Sequence, residues 1–154
     1  MLVKSLLFAA ANACLALAAG RTTAPSGALV VGGSGKYSKI QAAVNALSTT
    51  STAAQSIFIN SGTYSEQVLI PALKGPLTVY GYTTDDATYA NNVVTITAGV
   101  GVSSSVSDDE SGTLRVHTSN FKMYNVNVIN SHGSGSQAIA LSAYAAVCHT
   151  LLYH

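Results

Sequence analysis

Between Ser38 and Thr52 the apolar residues Ile40, Ala43, Val44 and Leu47 recur at the i, i+3, i+4, i+7 spacing of one helix face. The spacing predicts a single amphipathic helix, with Ser38 as its N-cap and the polar run 48–52 as its stop. Before it, residues 29–31 read as a first strand and the glycine cluster 32–35 as a turn. That cluster is no phosphate loop, because Lys36 is followed by Tyr37 rather than serine or threonine. Past the helix the pattern changes to short apolar bursts at 57–60, 67–70, 77–82, 93–97, 113–118, 121–129 and 138–143, separated by polar or glycine-bearing turns. In the longest burst, Lys122, Tyr124, Val126 and Val128 alternate with Phe121, Met123, Asn125 and Asn127, which reads as one strand with an apolar face and an asparagine-bearing face.

Short strands at intervals also suit a sandwich or a barrel. The irregular spacing, the small side chains, the single early helix and the lack of Asn-Gly or Asp-Gly hairpin turns favour stacked coils instead. The expected fold is therefore all-β, a parallel β-helix with one amino-terminal capping helix.

The chain opens with Lys4 ahead of an apolar run that Asn12 interrupts and that closes in Ala16-Leu17-Ala18-Ala19-Gly20. Small residues at that end read as a cleavage site, so residues 1–19 are expected to be a secretory signal peptide rather than a membrane anchor, which wants about 18 unbroken apolar residues. Residues 20–154 then form one domain whose single cysteine, Cys148, leaves no internal disulfide.

Composition narrows the function. Only 8% of residues are charged and the formal net charge is +1, which excludes a basic nucleic-acid binder and a charge-rich disordered chain. There is no Gly-x-Ser-x-Gly elbow, no Cys-x-x-Cys and no His-Glu-x-x-His, and His117, His132, His149 and His154 show no ligand spacing. The carboxylates carry more information: Glu66 follows a glycine turn, and Asp85-Asp86 and Asp108-Asp109-Glu110 sit in polar loops. Adjacent loop acids are most simply solvated. Composition by itself does not make this chain an enzyme.

Three stretches add a resemblance. Ser61-Gly62-Thr63-Tyr64-Ser65-Glu66-Gln67-Val68-Leu69-Ile70-Pro71 resembles the first signature of the pectinesterases, and Gln137-Ala138-Ile139-Ala140-Leu141-Ser142-Ala143-Tyr144-Ala145 resembles their second. The lead from Arg21 and the Ile40 helix are similar to the start of the fungal members. The resemblance implies a secreted, right-handed parallel β-helix that hydrolyses methyl esters of polygalacturonate to pectate and methanol, with no metal or cofactor. It implies pectin (homogalacturonan) as partner, no nucleic acid, and no membrane once the leader is removed.

In that family an aspartate attacks the ester, a second aspartate supplies the proton for methanol, an arginine orients the nucleophile and glutamine amides stabilise the oxyanion. On the resemblance, Gln137 is the oxyanion-stabilising residue, Thr113 and Gln137 contact substrate, and Gly62, Tyr64 and Glu66 shape the coil beside the cleft. The family's Gln-Asp-Thr-Leu, Asp-Phe-Ile-Phe-Gly and Leu-Gly-Arg-Pro-Trp stretches, which carry the two aspartates and the arginine, do not occur here. The tail 148–154 reads as part of the third signature, with His149 where the aspartate would stand. These departures lead to the expectation of an incomplete amino-terminal portion, inactive on its own, with an open β-helix end available for self-association. The alternatives are a non-catalytic pectin-binding module and the product of a mis-spliced gene.

Overall fold

The computed structural model describes residues 20–144 and the backbone of Leu151–Tyr153; the leader expected in 1–19 and most of the tail reading at 148–154, His149 included, lie outside the described residues. The strands are β1 (Leu29–Val31), β2 (Gln55–Ile59), β3 (Gly62–Ser65), β4 (Val68–Ile70), β5 (Leu77–Gly81), β6 (Val94–Ala98), β7 (Leu114–Val116), β8 (Phe121–Tyr124), β9 (Asn127–Asn130), β10 (Leu141–Ala143) and β11 (Leu151–Tyr153). Among the described residues two short α-helices, α1 (Ile40–Val44) and α2 (Asp108–Ser111), and a 3-10 turn at Tyr89–Asn91 complete the framework.

All strand pairs are parallel, and the chain visits three sheets in rotation: β1-β2-β5-β8-β11, then β3-β6-β9, then β4-β7-β10. That rotation is a parallel β-helix, wound right-handed as parallel crossovers are. Parallel ladders put identical strand positions of successive coils on top of one another, so the core is built from stacks. Ile57, Val79 and Met123 share one register; Val68, Leu114 and Leu141 share another; Tyr64, Ile96 and Val128 a third. All but Tyr64, Val128 and Leu141 among these are buried, and those three pack against the cluster. Each fully buried Leu, Ile or Phe contributes about 1.5–3 kcal/mol.

The helix stripe packs as its spacing requires, with Ile40, Ala43, Val44 and Leu47 all buried and α1 lying against β1, β2 and β4. The helix is shorter than expected, ending at Val44 with Asn45 as C-cap, and Ala46 and Leu47 continue only in turn bonds to Ala43 and Val44. Ser38 is not its cap. Lys39 occupies the N-cap position without a side-chain bond, and Glu66, distant in sequence but just ahead of β4, accepts hydrogen bonds from the backbone N–H groups of Ile40 (2.8 Å) and Gln41 (3.0 Å). A tertiary carboxylate thus does the work of a local cap.

The stretch 121–129 is two strands, not one. Asn125 takes φ 55°, a left-handed conformation that asparagine tolerates, and turns the chain from the first sheet to the second. The turn switches the inward parity from Phe121 and Met123 in β8 to Val128 in β9. Its carbonyl lies where a Cβ on Gly81 would sit, so the coil beneath must carry glycine there.

Candidate functional site

In the sheet β4-β7-β10 the residues at Val68, Ile70, Leu114 and Val116 point into the core, so their neighbours point outward. Leu69, Arg115 and Ser142 share one outward register across the three strands. α2 lies on this face against β10. It starts with a capping box, in which the Ser107 hydroxyl accepts from the Glu110 N–H while the Glu110 carboxylate accepts from the Ser107 N–H.

The capping box places Asp109 over the strands. Its Oδ2 accepts from Arg115 Nε (3.0 Å) and a second guanidinium nitrogen (2.7 Å), and it lies 3.0 Å from His117 Nε2. Its Oδ1 accepts from the Ser142 hydroxyl at 2.6 Å. Desolvation pushes this carboxyl up, but the bonds from Ser142, Arg115 and His117, with the guanidinium charge, outweigh it and hold the pKa at about 2. Tyr144 closes the cluster: its ring centroid is 5.8 Å from that of His117 at 54°, and its N–H donates to the Val116 carbonyl. Together with Asp108 and Glu110 these groups line an open cleft of about 600 Å³, within the range that takes small ligands.

The sequence-derived candidates fall in different places. Gln137 is exposed in the loop before β10, two residues ahead of Ile139 on the cleft wall, and its carbonyl accepts from the Val102 N–H. Thr113, expected to contact substrate, is instead fully buried; its hydroxyl donates to the Ile129 carbonyl at 3.0 Å, which ties coils together and leaves it nothing to offer a ligand. Glu66 caps α1 as described. The Tyr64 hydroxyl donates to the Asn60 carbonyl (2.9 Å), its pKa raised by burial and then by the Glu66 charge. The same ring lies against Gly62 and against Gly32, where a side chain would collide with the phenol.

Asp109 corrects the expectation that the loop acids are solvated, since it is the hub of the face. Asp85 instead holds its own loop, accepting from the Ala87 N–H and the Asn91 amide. Arg115, His117, Ser142 and Tyr144 are not among the sequence-derived site candidates. The Arg-x-His spacing within 113–118 would have placed two of them on one outward face, and Ser107-x-x-Glu110 signalled the helix that carries Asp109. Among the described residues no group of three or more His, Cys, Asp or Glu is arranged to hold a metal ion.

Residues 28–152 match the sequence profile of the family described as Pectinesterase. The chain belongs to the pectinesterase family. It is 52% identical over 146 residues to a pectinesterase of Aspergillus niger and 48% identical over 147 residues to one of Aspergillus aculeatus, alignments that cover 94% of this chain and 44% of each relative. This family member therefore spans less than half the length of the relatives it matches. Among solved structures, the pectin methylesterase from Aspergillus niger superposes with TM-score 0.81 at 46% identity, over 87% of this chain and 44% of that one. The pectin methylesterase from carrot superposes with TM-score 0.69 at 24% identity, over 85% and 40%, which supports the pectinesterase fold.

Proposed function

We propose that this chain is secreted and binds methyl-esterified homogalacturonan on the outer face of β4-β7-β10, and that its 154 residues alone do not hydrolyse the ester. Family membership supports the substrate class, and the apolar run ahead of Ala16-Leu17-Ala18-Ala19-Gly20 supports export. Gln137, two residues ahead of Ile139 in sequence and matched to the family signature, is the amide we assign to the ester carbonyl, where a neutral donor stabilises developing negative charge.

The state of Asp109 carries the argument about turnover. Aspartyl ester hydrolysis needs one carboxylate free to attack and another protonated to release the alcohol. With a pKa of about 2, Asp109 is ionised at neutral pH and has no proton to give. Its two oxygens are already engaged by Arg115, His117 and Ser142, so attack would require dismantling the cluster. Asp108 and Glu110 lie exposed at the rim, with Glu110 bound into the cap of its own helix. Binding without turnover is what this arrangement supports.

The test is methanol release from highly methylated pectin by the purified chain, with the Aspergillus niger pectinesterase as control. No release above buffer is expected. Release near the control rate would overturn the reading and make the Asp109 cluster catalytic.

A further inference from the structure

We propose that Asn130, at the end of β9, is the positioning residue that fixes where the Gln137 amide stands. The inference rests on the binding reading above, which assigns that amide to the ester carbonyl, and adds what holds it in place.

Gln137 is exposed, and its side-chain amide makes no hydrogen bond among the described residues. An amide with no partner of its own is placed by its backbone, and the backbone ahead of it is ill suited to hold a position. Gly133 stands at φ 84° and Gly135 at φ 117°, with nothing within 4 Å of where a Cβ on either would sit. Left-handed glycines in an unpacked loop bring a large conformational entropy that folding must overcome. The order of this loop therefore comes from its ends.

Asn130 supplies it. Its Nδ2 donates to the carbonyls of Val100 (2.8 Å), Ser111 (2.9 Å) and Ile139 (3.0 Å), and its Oδ1 accepts from the His132 N–H at 3.0 Å. Two amide hydrogens serve three carbonyls, so one hydrogen is shared. A single side chain thus ties the start of the loop at His132 to its far end at Ile139, two residues past Gln137, and both to the chain after β6 and to the last residue of α2. Asn130 is itself fixed, because it pairs with Ala98 in the β6–β9 ladder and the next N–H, of Ser131, donates to the Ala98 carbonyl. An anchor on a strand end is more exact than one on a loop.

The loop has few other ties. The Gln137 carbonyl accepts from the Val102 N–H at 2.8 Å, and Ser136 Oγ lies 3.0 Å from His132 Nε2. That pair closes the loop over Gly101, where a Cβ would collide with both side chains. α2, by contrast, keeps its capping box, the bonds of Asp109 and the bonds from Gln67 to the Glu110 and Gly112 carbonyls. Loss of Asn130 therefore falls on the loop that carries Gln137 and spares the helix.

The experiment first follows amide hydrogen exchange by NMR in the ligand-free full chain, reading the Val102 N–H, which bonds to Gln137, against that of Val79 in the core. Asn130→Ala is expected to speed exchange at Val102 about tenfold and to leave Val79 unchanged. Asn130→Asp, which keeps the acceptor for His132 but loses the donors, should do the same. Asn130→Ser retains one donor and should give about threefold; it is the variant to read where the others do not fold. An unchanged Val102 rate, or equal acceleration at Val102 and Val79, overturns the inference. Binding of a methyl-esterified oligogalacturonide is then measured as a double-mutant cycle. Gln137→Ala and Asn130→Ala should each weaken it about tenfold, and the pair no more than either alone, because Asn130 acts through Gln137. Losses that add place the effect of Asn130 elsewhere and overturn the inference. Full affinity in Gln137→Ala, or no binding by the unaltered chain, overturns the binding reading instead, and the exchange rates then decide by themselves whether Asn130 holds the loop.

Discussion

Glu66 shows how a single side chain can hold two distant parts of a coil together. Its carboxylate satisfies two otherwise unpaired N–H groups of α1 across more than twenty residues of sequence, while the backbone beside it leads into β4. Replacing it with alanine strips both donors of their partner, so Glu66→Ala should cost about 1–2 kcal/mol, read as a lower urea midpoint with an unchanged slope. Glu66→Gln keeps an acceptor and should recover part of that loss. A midpoint unmoved by the alanine change would mean water replaces the carboxylate freely. At this scale the sequence was a partial guide: Glu66 stood out as a signature residue, but its partners lie 25 and 26 positions away, beyond any local pattern. Thr113 misled for the related reason that a polar side chain pointing into the coil, with its hydroxyl on the Ile129 carbonyl, looks in sequence like one pointing out.

Among elements, the helix stripe and most apolar bursts were legible because their periods follow directly from burial on one face. β3 was not legible. Gly62-Thr63-Tyr64-Ser65 carries little apolar signal and is a strand because its backbone pairs with β6, a tertiary cause. The division of β8 from β9 was hidden too, since an asparagine can continue an alternating pattern on paper while its left-handed φ turns the chain in space. The turn constrains the coil below it. A Cβ at position 81 would meet the Asn125 carbonyl, a backbone atom that cannot swing aside. Gly81→Ala should therefore force β5 and β8 apart at that end and destabilise by about 2–4 kcal/mol, as overpacking against fixed atoms does. Ser65→Ala, at an exposed strand position, is the comparison and should stay within about 0.5 kcal/mol of the parent. Equal melting of both variants would show that the coil can spread without loss.

A parallel β-helix protects each coil with the next, so its stability is a matter of neighbours rather than of one central core. α1 packs against β1, β2 and β4 of the earliest coil, and β11 extends the first sheet beyond β8. Among the described residues no strand extends the other two sheets beyond β9 and β10, and Ile129 on β9 is 48% exposed. An edge strand beside an exposed apolar side chain is a template for another strand. We therefore expect the purified 154-residue chain to self-associate with rising concentration, a behaviour visible in sedimentation velocity. Ile129→Lys, which puts a charge on the β9 edge while leaving the carbonyl used by Thr113, should move association to roughly tenfold higher concentration. The variant should melt like the parent at low concentration, because the replaced side chain is half-exposed. A parent chain that stays monomeric over the whole range and unfolds cooperatively would mean that the β9 and β10 edges are not adhesive, and that coil stacking as far as β11 is enough to close the fold.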